Sequence, residues 1–537
     1  MRVLIFHGYL LEGTGSNVYN ARLAAALVEL GHEVHLLCQD RHPDRQPFVD
    51  AFGDWEQGEL RVRELRADPR CTVYRPDIGA LLPVYVADVY EGIEARTFAE
   101  CDDEELGRYL AANVAAVREV AARVRPDLAL ANHLIMGPAI LARALDDVPY
   151  AVKVHGSALE YTVKPQPERF LPFAREGLAG ARAVLVGSRH TAHSLWAALE
   201  DPQLPARTRL GPPGVDVHRF RPVPAGEAPT ALQDGAGSLA ARLRAAAATR
   251  EPGSQDTGAF ARDELAAARA LERLAALAAA QPIRPVAFVG KLIVSKGVDL
   301  LLAAWPLVLA QDPDATLLVI GFGAYRRTLE RLLSALAGDQ LEEAIEIARA
   351  GRALEGETAD APLRHLLAFL LELDGERRER YFRAARGLPE RVIFTGRLEH
   401  DELAELLPTC EALVVPSTFP EAFGMVAAEG AACGALPVSA AHSGLAEVSE
   451  VLARAVPSEV APWLSFAVDD RAVTALAACL TSWLLADADL RARTRSGLVA
   501  TVREHWSWEG VARRVIAAAQ GDLNDLPAPG DFARSVG

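Results

Sequence analysis

Short apolar segments alternate with helical segments in two separate series along this chain. The first series lies within 1–222 and includes the segments RVLIF at 2–6 and EVHLLC at 33–38. The second series begins with VAFVG at 286–290 and runs to LSFAV at 464–468. Segments of this length, separated by helices, are typical of buried strands in βαβ units with a parallel sheet. The alternation therefore predicts an α/β protein with two doubly wound parallel sheets.

The length of 537 residues is too great for one hydrophobic core, so two large domains are expected. Two such sheets in one chain predict a cleft between the domains, with ligands bound at the carboxyl ends of the strands. Where the alternation lapses, the stretch 224–258 contains no apolar strand and predicts a loop or linker. The predicted boundaries are 1–222 for an N-terminal Rossmann-like domain, 223–281 for an Ala/Arg-rich insertion or linker, 282–505 for a C-terminal Rossmann-like domain with a helical insertion at 338–388, and 506–537 for a C-terminal helix and tail that packs back on the N-terminal domain.

Charge and cysteine spacing argue against several classes of protein. The net charge of −16 disfavours a nucleic-acid-binding protein, which needs a basic surface, and a strongly polybasic membrane anchor. The six cysteines form no CxxC pair, so a structural zinc site is not expected. Their scattered positions predict reduced thiols in a cytoplasmic protein. We find no signal-peptide core and no uncharged apolar run long enough to cross a membrane, so neither is expected.

A glycine loop, GTGSNVYN at 13–20, joins the first predicted strand to the first helix. Backbone N–H groups at such a helix start can hold a phosphate. Gly13 and Gly15 fit the start of a dinucleotide fingerprint, but Val18 stands where the third glycine would be, which argues against NAD. The alternative is a tight turn that needs glycine for its backbone conformation.

Two lysines follow a strand end in the segment VGKLIVSKGVDLLL at 289–302. Lys291 and Lys296 would flank the mouth of the second domain, where two cations suit a diphosphate whose charge must be neutralised. The alternative is that both lysines are simply solvated.

Two glutamates mark the most informative segment, PSTFPEAFGMVAAEGAACGALPV at 416–438. A helix is predicted over 421–433, in which Glu421 and Glu429, eight residues apart, would be about 12 Å apart along the axis. A carboxylate pair that cleaves a glycoside with retention needs about 5 Å, so two separate tasks along one extended ligand fit better. Carboxylates accept hydrogen bonds from pairs of sugar hydroxyls, and the turn at 423–425 can offer backbone N–H groups.

Two histidines stand at predicted strand ends in the first domain. His155, in KVHGSALEY, is expected to face the cleft, where it can donate to a developing charge or to a sugar hydroxyl. His133, in ANHLIMGP, is a second candidate with a weaker case. The alternative for both is a structural histidine. Gly214 and Val215 follow a Pro-Pro pair in a turn that we interpret mainly as structural.

Taken together, these segments resemble glycosyltransferase family 4, the group 1 transferases of the GT-B fold. The resemblance rests on PPGVDVHRFRP, VGKLIVSKGVDLLL, FTGRL and the segment at 416–438, and it covers most of the chain except 223–281 and 338–388. Glu421 and Glu429 match the E-x7-E motif of that family. By position, the resemblance implies that Glu421 contacts the donor sugar, that Glu429 binds the ribose hydroxyls, and that Lys291 and Lys296 hold the diphosphate. It implies that the backbone around Gly396 and Leu398 contacts the base, and that Phe423, Gly424 and Met425 approach the sugar and phosphate. It places His155 beside the transferred sugar and Gly15 beside the donor phosphate and the acceptor.

The resemblance implies a retaining transferase that moves a sugar from a UDP- or GDP-linked donor to an unidentified hydroxyl acceptor, in glycolipid, cell-envelope polysaccharide or small-glycoside biosynthesis. It makes 1–222 the acceptor side and 282–505 the nucleotide-sugar side, and it assigns catalysis to His155, Lys296 and Glu421. No metal or cofactor is expected. A cytoplasmic location is expected, with peripheral contact at the inner membrane face left open.

One residue departs from the pattern of the family, which usually has arginine where Lys291 stands; lysine keeps the charge but loses the bidentate geometry. Two alternatives to a transferase stay open. One is a sugar-nucleotide epimerase, and the other is a non-catalytic binding protein with a degenerate site.

Overall fold

The computed structural model describes residues 1–13, 15–86, 93–224, 226–249, 262–351, 353 and 361–530. Parts of several predicted segments therefore lie outside the described residues, namely Thr14 of the glycine loop, 225 and 250–261 of the first insertion, 352 and 354–360 of the second, and 531–537 of the tail. The chain divides into two compact units, which we call unit 1 (Met1–Gly214 with Trp506–Gly537) and unit 2 (Val215–His505).

Strands of unit 1 come first along the chain and those of unit 2 follow. In the described residues they are β1 (Arg2–Phe6), β2 (Glu33–Leu37), β3 (Ala51–Glu56), β4 (Glu59–Glu64), β5 (Cys71–Arg75), β6 (Leu81–Val84), β7 (Glu94–Thr97), β8 (Leu128–Asn132), β9 (Tyr150–Val154), β10 (Ala183–Val186), β11 (Thr208–Leu210), β12 (Arg284–Lys291), β13 (Ala315–Phe322), β14 (Val392–Gly396), β15 (Ala412–Val415), β16 (Leu436–Ala440) and β17 (Ser465–Phe466).

Helices separate most of these strands. In the described residues they are α1 (Gly15–Glu29), α2 (Asp103–Val124), α3 (Gly137–Ala144), α4 (Pro167–Ala179), α5 (Arg189–Leu199), α6 (Leu204–Arg207), α7 (Ala228–Thr249), α8 (Glu264–Ala280), α9 (Val298–Leu309), α10 (Arg326–Ala337), α11 (Leu341–Ala350), α12 (Arg364–Leu371), α13 (Gly375–Ala385), α14 (Leu388–Arg391), α15 (His400–Leu406), α16 (Met425–Ala432), α17 (Ser443–Ala453), α18 (Ala472–Leu484), α19 (Ala488–His505) and α20 (Trp508–Gln520).

The main sheet of unit 1 has nine strands in the order β11-β10-β9-β8-β1-β2-β5-β3-β4, and only the β3–β4 pair is antiparallel. From β1 the chain builds outward through β2 and β5, and from β8 it builds outward in the other direction. The gap between the carboxyl ends of β1 and β8 is therefore a topological switch point, where ligands bind in sheets of this kind. The prediction of a doubly wound parallel sheet is confirmed here.

The sheet of unit 2 has six parallel strands in the order β14-β13-β12-β15-β16-β17. Its switch point lies between β12 and β15, whose strands pair from Val286 with Ala412 to Phe288 with Val414. The loops that leave these two strands carry the predicted lysines and Glu421. A second doubly wound sheet is thus confirmed. Its strand order alone indicates the same ligand-binding loops, after β12 and β15, that the sequence motifs indicate.

Both ends of the chain contribute to the core of unit 1. Val511 and Val515 of α20 are buried in one cluster with Ile5 of β1 and Leu27 of α1. The side chain of Ser507 caps α20 by accepting a hydrogen bond from the backbone N–H of Gly510. The segment that follows unit 2 in sequence is therefore an integral part of the first sheet's packing.

The structure corrects the loop predicted at 224–258. Most of that stretch is helix α7, which packs against α8 and buries Leu232, Leu239 and Leu243. These leucines follow helical spacing, but the surrounding alanines are small enough to hide the pattern in the sequence. At 338–388 the described residues contain the expected helices, α11, α12 and α13.

The strands between Ala51 and Thr97 have no counterpart in the sequence prediction. The turn between β3 and β4 consists of Gln57, at a φ of 55°, and Gly58, at a φ of 83°. The strand ELRVRE of β4 is polar and largely exposed, so it lacks the apolar run typical of a buried strand. Sheet edges of this kind escape a search for parallel βαβ strands.

All six cysteines lie in the described residues as free thiols, and five of them are buried. In the described residues no single helix is long and apolar enough to span a membrane; only α18 and α19 taken together, bent by 107° at their break, reach that length and apolarity.

Candidate functional site

Two loops of unit 2 meet at its switch point. Lys291 ends β12, and Lys296 ends a 3-10 turn that begins at Val294. The backbone N–H of Thr418, in the loop after β15, donates to the carbonyl of Ser295 at 2.9 Å. Gly297 has a φ of 65°, and a Cβ there would lie 2.0 Å from the Pro416 carbonyl oxygen. Close approach of the two loops therefore requires glycine at this position.

A preformed ion pair occupies this junction. The Lys296 ammonium pairs with Oε1 of Glu421, and the Ser417 hydroxyl donates to the same oxygen at 2.6 Å. Burial alone would raise the pKa of Glu421, but the charge and hydrogen bond of Lys296 outweigh it and hold that pKa below its usual value. The two side chains keep 30% and 25% of their surface exposed, so a ligand can reach both charges.

The loop after β16 fixes the backbone of Glu421. The Glu421 N–H donates to the Ser443 hydroxyl at 2.9 Å, and the Gly444 N–H donates to the Glu421 carbonyl at 3.0 Å. A Cβ on Gly444 would lie 2.6 Å from the backbone of Phe423, so only glycine fits. Three strand-end loops thus hold this carboxylate in place.

One expectation about the two glutamates is wrong. A helix was predicted over 421–433, but α16 begins at Met425, so Glu421 lies in a loop and only Glu429 is helical. The axial spacing of a single helix therefore does not describe the pair. Gly424 adopts a φ of 122° at the start of α16, which ends the loop sharply. The assignment of the two glutamates to separate tasks therefore no longer rests on a spacing of about 12 Å and stays a prediction from the family resemblance.

Glu429 has a different environment from Glu421. It is only 4% exposed, and its Oε1 lies 2.7 Å from Nε2 of His400, the first residue of α15. The ring of Phe220 lies 4.8 Å from the His400 ring, centroid to centroid. Sequence motifs did not single out His400, although it follows closely after the FTGRL strand end.

The other predicted donor residues also lie at strand ends of unit 2. Gly396 ends β14 at a φ of 82°, and Leu398 is buried two residues later. Phe423 is mostly buried and Met425 is half-buried at the start of α16. The structure therefore places these residues beside the carboxyl ends of β14 and β15, the edge of the sheet that the topology favours.

His155 follows β9 in unit 1, as expected. Its Nε2 lies 2.9 Å from Oδ1 of Asn132, whose amide donates to the Phe6 carbonyl at 3.3 Å. Because the amide nitrogen of Asn132 is used in this way, Nε2 of His155 carries the proton. Burial lowers the pKa of His155 well below its usual value, so the ring is neutral near pH 7.

Three histidine rings gather at the unit 1 switch point. The His133 ring lies 4.9 Å from that of His155 and 5.9 Å from that of His7. Neither ring nitrogen of His133 has a hydrogen-bond partner in the described residues, and burial lowers its pKa well below the usual value. His7 bonds to Asn17 and Asn20 in the first turns of α1, and burial lowers its pKa to about 4. Gly15 is the first residue of that helix.

A buried lysine lies under this cluster. Lys153 of β9 is 2% exposed, and its Nζ donates to the Gly211 carbonyl at 2.6 Å and lies 5.5 Å from the centre of the Tyr19 ring. Burial lowers its pKa to about 7. Tyr19 in turn contacts the rings of His155 at 4.9 Å and Trp508 at 5.5 Å. The segments GTGSNVYN and KVHGSALEY contain Tyr19 and Lys153, but sequence reasoning singled out only their glycines and His155, because the burial of a tyrosine or lysine inside a regular element is not visible in the sequence.

Metal ligands are not clustered in the part of the chain that the structure describes, where no group of three or more His, Cys, Asp or Glu could hold an ion. Whether the reaction needs a metal stays a prediction.

Models of two protein families match the chain. The Glycosyl transferase 4-like domain matches residues 14–199, and the model described as Glycosyl transferases group 1 matches residues 371–495. Together the matches cover more than half of the 537 residues. The chain belongs to the group 1 glycosyl transferases of family 4, and its two Rossmann-like units are of the GT-B type.

Two curated relatives match over similar lengths. A GDP-mannose-dependent monoacylated alpha-(1-6)-phosphatidylinositol monomannoside mannosyltransferase of Corynebacterium glutamicum is 26% identical over 238 residues, which are 43% of this chain and 46% of that protein. The gpi3 subunit of a phosphatidylinositol N-acetylglucosaminyltransferase of Schizosaccharomyces pombe is 24% identical over 229 residues, 43% of this chain and 36% of that protein. The matched region therefore spans less than half the length of either relative.

Among solved structures, Anabaena Alr3699/HepE in complex with UDP and glucose is similar with a TM-score of 0.52 and 16% identity, over 97% of this chain and 100% of that chain. At this identity the likeness establishes the fold alone.

Proposed function

We propose that this protein is a retaining glycosyltransferase that moves a sugar from a UDP- or GDP-linked donor to a hydroxyl acceptor. The observation that carries the proposal is the reachable ion pair of Lys296 and Glu421 at the switch point of unit 2. An ammonium that is already beside a carboxylate can hold the diphosphate while the carboxylate accepts from sugar hydroxyls.

In the proposed reaction the bond between the sugar and the diphosphate breaks as the acceptor oxygen attacks from the same face. The leaving phosphate oxygen takes the acceptor proton, and Lys291 and Lys296 stabilise the charge that develops on the diphosphate. Glu421 contacts the sugar and Glu429 the ribose. Nδ1 of the neutral His155 ring, which carries no proton, is proposed to accept from a hydroxyl of the transferred sugar. The two lysines supply the positive charge, so the proposal includes no metal and no cofactor.

A glycolipid is the acceptor class we favour. Both curated relatives carry phosphatidylinositol in their names, although each is matched over less than half its length. A lipid acceptor would bring the protein to a membrane surface as a peripheral protein. A soluble glycoside or a polysaccharide acceptor would be revealed by the assay that follows.

The test is a thermal-shift screen with UDP, GDP, UDP-glucose and GDP-mannose in the presence of a metal chelator, followed by transfer assays with the stabilising donor. Vesicles that contain phosphatidylinositol, a soluble polyol and no acceptor form the three arms. We expect stabilisation by one nucleotide class, donor consumption that depends on acceptor, and a product with the donor's anomeric configuration by NMR. Donor conversion without any acceptor would instead indicate an epimerase, and no binding of any nucleotide would contradict the proposal.

A further inference from the structure

Glu429 is a buried carboxylate, and a buried charge is costly unless hydrogen bonds satisfy it. At 4% exposure, the carboxylate meets Nε2 of His400 at 2.7 Å through one oxygen, Oε1. This contact joins α16, which follows β15, to the first residue of α15, which follows β14. The partner of Glu429 thus comes from the end of a different strand, since β13 and β12 lie between β14 and β15 in the sheet.

The environment of His400 selects its protonation pattern. Its Nδ1 is buried and has no hydrogen-bond partner in the described residues. A proton on Nδ1 would leave a buried N–H group unsatisfied, so the tautomer with its proton on Nε2 fits the site best. That tautomer donates to Oε1 of Glu429 and leaves Oε2 able to accept from a ligand.

Two features hold the His400 ring in this place. Glu399 and Glu402 form a capping box around the start of α15, which fixes the backbone of the first turn. The Phe220 ring packs against the imidazole at 4.8 Å, and only 22% of the His400 side chain stays exposed. The donor to Glu429 is therefore aligned before any ligand binds, as precise recognition requires.

We propose that His400 is a positioning residue that holds the Glu429 carboxylate in the orientation that accepts from a ribose hydroxyl, and so sets the preference for ribonucleotides over deoxyribonucleotides. The inference rests on the proposed function, in which Glu429 binds the ribose. Without the imidazole donor, the carboxylate is free to rotate away from the orientation in which it accepts from the ribose hydroxyl.

The test measures binding of UDP and GDP, together with their 2′-deoxy and 3′-deoxy analogues, by calorimetry. Wild-type protein is expected to bind one ribonucleotide about 10- to 100-fold more tightly than a deoxy analogue, the range for a hydrogen bond to a charged group. In His400→Ala this ratio falls toward one, while affinity for the deoxy analogue changes by less than about threefold. His400→Gln, whose amide can donate to the same oxygen, restores most of the ratio.

Further variants separate positioning from general damage. Glu429→Gln should lose the same preference for ribonucleotides over deoxy analogues. A double variant with His400→Ala and Glu429→Gln should lose no more of this preference than either single variant, because the two residues act as one unit. His193→Ala, at an exposed histidine of unit 1, should leave the ratio unchanged.

The outcomes distinguish the two proposals. If wild-type protein binds neither UDP nor GDP, the proposed function itself fails. If wild-type protein discriminates but His400→Ala weakens ribo- and deoxynucleotides equally, or changes nothing, the role of His400 in positioning is overturned. Should His400→Ala fail to fold, His400→Gln and His400→Asn carry the same comparison, because only the longer amide reaches Glu429.

Discussion

Polar side chains crowd the switch point of both sheets, but the two units accommodate them differently. In unit 2 the titratable groups are paired, Lys296 with Glu421 and His400 with Glu429. In unit 1 the corresponding groups are His7, His133, His155 and Lys153. Their contacts in the described residues include no carboxylate, and burial lowers the pKa of each. The Lys296–Glu421 ion pair can exchange partners with a charged ligand, whereas the histidine rings of unit 1 offer hydrogen bonds without charge. The comparison teaches that a phosphate suits unit 2 and a hydroxyl suits unit 1.

The largest expected effect comes from breaking the pair in unit 2. Lys296→Ala removes the cation that faces the diphosphate and leaves Glu421 without its partner charge. We expect kcat/KM for transfer to fall by at least about 100-fold, the range for losing one group that stabilises a transition-state charge. Steady-state transfer assays with the donor found in the nucleotide screen provide the measurement.

A matched control is available on the surface of unit 1. Lys164 pairs with Glu160 at 2.8 Å on an exposed helical turn, and such pairs contribute little. Lys164→Ala should therefore keep wild-type turnover. Wild-type turnover in Lys296→Ala would mean that the donor phosphates bind elsewhere.

An intermediate effect is expected from the buried lysine of unit 1. Burial lowers the pKa of Lys153 from 10.5 to about 7, so between those pH values the unfolded chain binds more protons than the folded one. The free energy of unfolding should therefore rise with pH across this window and be lowest below about pH 7. Lys153→Met removes the penalty and should raise Tm at pH 7 by several degrees, since about 1 kcal/mol shifts Tm by roughly 2–4 °C in a unit of this size.

Calorimetric scans of the wild type and Lys153→Met across this pH range test whether the stability difference between them changes in the expected direction. Above about pH 10 the neutral amine keeps its hydrogen bond to Gly211, which methionine lacks, so the wild type should become the more stable protein. Curves that cross support a buried, easily neutralised lysine. Parallel curves would show that Lys153 stays charged and paired in solution.

The smallest effect is expected at Tyr19. Its hydroxyl is buried without a hydrogen-bond partner in the described residues, while its ring contacts His155 and Trp508. Tyr19→Phe keeps the ring contacts and removes an unsatisfied polar atom, so Tm should stay the same or rise by up to about 2 °C. A clear drop in Tm would reveal a partner for this hydroxyl, such as an ordered water.

Sequence patterns predicted the doubly wound sheets because buried parallel strands are continuous apolar runs, and β12 and β15 are of this kind. The same rule overlooked β4, whose residues are polar and exposed. It also took α7 for a loop, because alanines dilute the apolar spacing of Leu232, Leu239 and Leu243.

Motifs selected the candidate ligand-binding residues, but they could not show which side chains hold those residues in place. Glu421 and Glu429 were both found from their spacing. Their partners, Ser443 and His400, are the first residues of two other helices, 22 and 29 residues away, and the order of the strands brings them near. The start of α16 was misplaced for a related reason: Gly424, at positive φ, ends the loop later than helix propensity suggests.

The position of α20 has a consequence for how the protein is made. Val511 and Val515 complete a core that includes Val3 and Ile5, so unit 1 cannot finish packing until the segment that follows unit 2 has been synthesised. Unit 2, by contrast, is continuous in sequence from Val215 to His505. A premature stop or a frameshift shortly before Trp508 would therefore leave unit 2 intact and destabilise unit 1, because the apolar surface around Leu27 would stay uncovered.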